Sequence, residues 1–148
     1  METIPLQNAQ PDTLSRSYAI FKTVGAAIAA LVTWIFVATV LNLALRAWWP
    51  HYHEAETAFN FTFAMKLTRL ALGAISSVSA GFVAAWLGKG RMKAATFTGI
   101  VLLGLFIPGH YRIWDKFPVW YHLTFLVSLL PLTLLGAALN RRTCRKAP

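Results

Sequence analysis

The chain has 148 residues, 57% hydrophobic and 13% charged, with 14 Lys and Arg against 5 Asp and Glu and a net charge of +9. A soluble domain carries about 25% charged residues, so this composition and the mean hydropathy of +0.54 argue against a water-soluble core. No basic stripe interleaves with aromatics, which argues against nucleic-acid binding. The lone Cys144 excludes an intramolecular disulfide or a two-cysteine redox motif.

Residues 1–15 are polar and contain Pro5 and Pro11, and they read as a disordered lead. Four charge-free runs follow: Thr23–Leu45 of 23 residues, Leu70–Gly88 of 19, Ala94–Tyr111 of 18 and Phe117–Asn140 of 24. At 1.5 Å per residue even the shortest covers roughly 27 Å, near the thickness of bilayer hydrocarbon. They predict an all-α, four-helix transmembrane bundle in a single membrane domain. The approximate spans are 20–46, 67–88, 94–111 and 118–140, with a basic tail over 141–148. Thr23–Leu45 is too long for a cleaved signal segment and reads as an uncleaved anchor.

Pro50 is placed to end the first helix. Between it and Lys66, Phe59, Phe61, Phe63 and Met65 alternate with smaller or polar residues, a pattern of an interfacial segment or an early start to the second helix. Asp115 has the character of a helix cap and Pro118 of a first-turn residue. Pro131 falls inside the fourth span, where it frees the Val127 carbonyl and predicts a kink, with Ser128 near enough to help satisfy the backbone.

Charge sets the expected orientation. Arg16, Lys22, Lys89, Arg91, Lys93, Arg141, Arg142, Arg145 and Lys146 fall on one side. Arg46, Lys66, Arg69, Arg112 and Lys116 fall on the other. The excess places both termini in the cytoplasm. Trp48, Trp49, Tyr52, Tyr111, Trp114, Trp120 and Tyr121 then form an aromatic belt at the outer interface.

Lipid supplies no hydrophobic drive for helix association, so close packing must hold the bundle. Gly73, Ser77, Gly81 and Ala85 form a ridge of small residues at a spacing of four. Gly25, Ala29 and Thr33 offer a lesser ridge on the first span. The two ridges are expected to meet, or the second span to dock a partner chain.

All four histidines fall on the predicted outer side. His51 and His53 form a His-x-His pair that, in an extended loop, would set both rings on one face as metal ligands, beside Glu54 and Glu56. His110 and His122 end and begin adjacent antiparallel spans, where they could ligate a haem. His122 is the preferred single position, because an ionisable group within a span is a functional candidate. The charge-free runs argue against a carrier built on a buried charge, and no phosphate loop, nucleophile elbow or zinc-protease motif occurs.

The run Trp114-Asp115-Lys116-Phe117-Pro118-Val119-Trp120-Tyr121-His122-Leu123 resembles a segment of small four-span bacterial inner-membrane proteins of unassigned function. The resemblance implies the architecture and a bacterial inner-membrane setting, with no activity attached, and hints that Trp120, Tyr121 and His122 act together. The intramembrane site residues of four-span enzymes of glutathione and eicosanoid metabolism have no counterpart here.

The leading reading is a non-enzymatic accessory or interaction subunit with no cofactor, in contact with the bilayer and with a membrane protein partner or a second copy of itself. A haem- or metal-binding redox protein using the outer histidines is the first alternative. A small permease for a neutral solute, lined by Ser76, Ser79, Asn42 and the Pro131 kink, is the second.

Overall fold

The computed structural model describes residues 13–88 and 92–146, with side chains described from residue 18 to residue 143 except at residue 19. Its elements are α1 (Thr13–Trp48), α2 (Tyr52–Thr57), α3 (Phe63–Leu87), α4 (Met92–Arg112), a 3-10 turn at Trp114–Lys116 and α5 (Val119–Lys146). Segments long and apolar enough to cross a membrane are Ile20–Trp48, Phe63–Leu87, Met92–Arg112 and Val119–Thr143. The described chain is all-helical, and these four helices fit a multi-pass membrane protein. The lead expected over 1–15 lies outside the described residues except for 13–15, which already belong to α1. Lys89 and Arg91 also lie outside, as does the Cys144 thiol.

Packing changes character along the bundle axis. At one end Ala26, Ala30, Ala80, Ala84, Ala85, Ala94, Ala95 and Ala137 form a cluster from all four long helices. Methyl-sized side chains let helix axes approach closely. Leu102, Phe125 and Leu129 fill the middle. The other end, which carries α2, is built from Tyr52, Phe61, Met65, Phe117 and Tyr121. Helices that converge on alanines at one end and on aromatic rings at the other leave room at the aromatic end.

Gly73, Ser77, Gly81 and Ala85 are all buried, but the ridge is shared: Gly73 and Gly81 face α5, Ser77 and Ala85 meet α1, and the expected α1 ridge of Gly25, Ala29 and Thr33 is corrected at Gly25. A Cβ on Gly73 would lie 2.7 Å from the Phe125 ring, and one on Gly81 would overlap the Thr133 backbone. Gly136 of α5 returns the same contact against Val78. Glycines on both partners allow an approach that α1 cannot match, since its own Gly25 faces open space. α1 packs instead through Ala26 and Ala30, and Trp34 Nε1 donates a 3.1 Å hydrogen bond to Ser77 Oγ.

Two local expectations are also revised. Asp115 lies in the 3-10 turn, and the Pro118 carbonyl instead opens α5 by accepting from the Tyr121 N–H at 2.9 Å. Ser128 Oγ donates to the Phe125 carbonyl at 2.9 Å and not to the Val127 carbonyl. The hydroxyl chooses the carbonyl three residues back, within reach of its rotamer.

Candidate functional site

The segment between α1 and α3 is anchored from both sides. His51 and Phe59 adopt left-handed backbone conformations, φ 60° and 54°, and so turn the chain into and out of α2. Thr62 caps α3 by accepting from the Met65 N–H at 3.3 Å. The expected alternation of phenylalanines serves packing: Phe61 stacks on Phe117 with ring centroids 5.5 Å apart, and Phe63 meets Trp120 at 5.7 Å. Tyr52 is fully buried and pins α2 to the bundle.

Because α3 begins at Phe63, Lys66 and Arg69 lie in its first two turns. Arg69 is therefore within a membrane-capable helix, which corrects the reading of the spans as free of charge. Its guanidinium carbon sits 4.7 Å from the centre of the Phe61 ring. Nη1 donates to Tyr52 Oη at 3.1 Å and to Glu56 Oε1 at 3.4 Å. Tyr52 donates to Asn42 Oδ1 at 3.3 Å, and Asn42 Nδ2 donates to Glu56 Oε1 at 3.1 Å. Arg46 closes the network, its Nε donating to Glu56 Oε2 at 2.6 Å. Burial alone would raise the Glu56 pKa, but the hydrogen bonds from Arg46 and Asn42 and the charges of Arg46 and Arg69 outweigh it and hold the carboxyl below its ordinary range. One carboxylate thus ties α1, α2 and α3 together.

Beneath α2 a cavity of about 430 Å³ opens between the helices. Trp34, Phe59, Phe61, Phe106, Phe117 and Phe125 supply aromatic walls, and Leu72, Gly73, Gly109 and Ile113 complete the apolar lining. Asn42, Glu56, Arg69, His110 and Tyr121 present polar groups to it. Small-molecule sites span roughly 300–1,000 Å³ and combine apolar walls with a few convergent polar groups, as this one does.

His110 and His122 come together at the same end. Their Nδ1 atoms are 2.7 Å apart, and His122 Nε2 lies 3.3 Å from the Trp114 carbonyl. A carbonyl only accepts, so neutral His122 carries its proton on Nε2 and accepts at Nδ1. His110 then carries its proton on Nδ1 and keeps Nε2 as an acceptor. The His122 ring stacks on Trp114 at 4.6 Å, and the His110 ring on Phe125 at 4.7 Å. Two axial nitrogens on one iron stand about 4 Å apart, twice a metal–nitrogen bond of about 2.0–2.1 Å. The pair as placed is a direct hydrogen bond with no space for a porphyrin between the rings, so the haem expectation is not met by this geometry.

The His51–His53 expectation fails for a different reason. His53 is in α2 and His51 caps it, so the loop is not extended, and residues two apart on a helix do not share a face. His51 Nδ1 instead contacts Glu54 Oε2 at 3.1 Å on the open surface. No group of three or more His, Cys, Asp or Glu side chains converges among the described residues. Nor do the expected permease residues share a lining. Ser76 and Ser79 donate to the Leu72 and Ile75 carbonyls of their own helix, and of Ser76, Ser79, Asn42 and Pro131 only Asn42 borders the main cavity.

Sequence reasoning singled out His110 and Asn42 but passed over Arg69, Glu56, Tyr52 and Tyr121 as one constellation. The signal was present: Glu54 and Glu56 are the acidic residues between Arg46 and Arg69, two arginines at the ends of adjacent spans. Searches against protein-family models, curated proteins and solved structures find no match to this chain.

Proposed function

We propose that this is a multi-pass protein of the bacterial inner membrane, with both termini in the cytoplasm and the α2 end outward. It acts as a non-catalytic accessory subunit that holds a small, largely apolar molecule in the cavity beneath α2. The excess of basic residues at the opposite end of the bundle supports the orientation, and the resemblance around Trp114–Leu123 supports the bacterial setting. The cavity carries the functional reading. A membrane bundle built only as a spacer gains nothing from a void of this size, since unfilled apolar volume costs packing energy. Exposed apolar side chains along α1, among them Phe21, Ile28, Ile35 and Leu43, give lipid or a membrane partner a face to pack against.

Native mass spectrometry of protein extracted in mild detergent tests the reading. The wild-type protein is expected to retain a small molecule. Gly109→Leu, which adds a side chain at an exposed position on the cavity's border, is expected to lose it. Identical spectra for the two would contradict the proposal.

A further inference from the structure

The polar side of the cavity has a surplus of donors. Arg46 and Arg69 share a single carboxylate, with both Glu56 oxygens engaged, so one positive charge is left without a counterion among the described residues. The bonds of Arg69 to Tyr52 and to Glu56 both leave from Nη1. Its Nε–H is sealed within the protein without an acceptor among the described residues, so a ligand meets the guanidinium through the part of the side chain that lines the cavity. A cation without a counterion in an apolar chamber is costly, and the guanidinium fork is shaped to take two oxygens of one oxyanion. The Tyr121 hydroxyl lies beside the same guanidinium and lines the same cavity, adding a further donor. The walls opposite are aromatic and apolar.

We infer that the cavity receives a monoanionic amphiphile, with its oxyanion head held by Arg69 and Tyr121 and its apolar body between Trp34, Phe106 and Phe125. This rests on the ligand-holding role proposed above and names the class of ligand. A single negative charge matches the single surplus positive charge. A neutral molecule would leave the surplus positive charge without a counterion, and a dianion would carry an uncompensated charge into an apolar chamber. Two sources offer this chemistry: a free single-chain carboxylic acid, or the headgroup of an anionic membrane lipid.

The test is a titration of the full-length protein in an uncharged maltoside detergent with decanoate and with decanol, at matched fractions in the micelle. Binding is read as a rise in thermal unfolding temperature. Decanoate is expected to bind at least about tenfold more tightly than decanol, the scale of one charge-assisted hydrogen bond. Arg69→Gln is expected to erase that preference. Because Arg69→Gln also removes the bonds to Tyr52 and Glu56, Tyr121→Phe serves as a second variant that leaves those bonds in place. It is expected to weaken decanoate about fivefold, the worth of one hydrogen bond, and leave decanol unchanged. Gly109→Leu is expected to block both ligands. Displacement of decanoate by phosphatidylglycerol but not phosphatidylcholine assigns the oxyanion to a bilayer lipid, and retention against both assigns it to a free acid. Equal affinity for decanoate and decanol, unaltered by Arg69→Gln and Tyr121→Phe, overturns the oxyanion inference and leaves the cavity reading standing. Failure of both ligands to bind the wild-type protein overturns the cavity reading itself.

Discussion

Gly81 of α3 and Thr133 of α5 meet backbone to backbone, so that a single methyl group on Gly81 would overlap the Thr133 carbonyl. Gly136 of α5 makes the reciprocal contact with the Val78 carbonyl, and the two glycines set the spacing of the tightest helix pair. Where neither backbone can yield, the helices must separate. Gly81→Ala and Gly136→Ala are each expected to destabilise the protein by about 1–3 kcal/mol, the usual cost of overpacking. Gly104→Ala, in open space on α4, should be neutral or slightly stabilising, as expected for Gly→Ala within a helix. Unfolding in mixed micelles with increasing denaturing detergent measures the difference. Equal stability of the three variants would contradict the close α3–α5 contact.

The histidine pair makes a prediction about protons. Nitrogen NMR at neutral pH should find His122 protonated on Nε2 and His110 on Nδ1. His122→Ala strands the His110 Nδ1–H and the Trp114 carbonyl and removes the ring stacked on Trp114. The expected loss is about 2–4 kcal/mol, combining an unpaired buried donor with a cavity. The opposite tautomers, or an unaffected unfolding transition, would dismiss the hydrogen-bonded arrangement.

Glu56 predicts an acid limit for α2. Its folded pKa lies below the ordinary value of 4.5, so the stabilisation it provides is complete above that value. It disappears as the pH falls through the lowered folded value, where the carboxylate takes up a proton. Near-UV circular dichroism of the aromatic end should therefore change on acidification below about pH 4.5. Glu56→Gln should remove that transition and lower stability at pH 7 by about 1–3 kcal/mol. A transition that persists in Glu56→Gln would assign the acid sensitivity to another group.

His51 occupies a left-handed conformation that costs a residue with a Cβ about 1–2 kcal/mol. Its contact with Glu54 is between side chains 80% and 77% exposed, and such pairs add little. His51→Gly is accordingly expected to stabilise the protein by about 1 kcal/mol. A loss of stability, or a zinc-induced gain in wild type that the variant lacks, would restore a ligand role to the His51–His53 pair.

The four long helices were legible because hydrocarbon demands continuous apolar runs, and little else produces a stretch such as Phe117–Asn140. The ridge of Gly73, Ser77, Gly81 and Ala85 was legible for the same reason, since small residues at a spacing of four have few other uses in a membrane helix. Its partner was not, because a ridge states how closely a neighbour approaches and not which neighbour it is. The reciprocal Gly136, one turn from Thr133 and followed by Ala137 and Asn140, carried that information and went unread. The site was obscured at Arg69. A charge-free run counted from Leu70 sets that arginine aside even within a span drawn over 67–88, whereas Thr62 caps a helix that starts at Phe63 and includes it. α2 escaped because six residues with exposed His53 and Glu54 have no apolar period to detect, and only Tyr52 is fully buried within it.

The proposed ligand cavity lies at the α2 end of the bundle, the end proposed to face outward. It is tested most directly by thiol labelling in intact spheroplasts. With Cys144→Ser as background, Gly109→Cys places a thiol on the border of the cavity and Gly104→Cys places one on the same helix away from it. A membrane-impermeant anionic thiol reagent added outside is predicted to label position 109 and not position 104, and to react faster there than its cationic counterpart. Labelling at 109 only after the inner side is opened, or equal labelling of the two positions, would contradict the account.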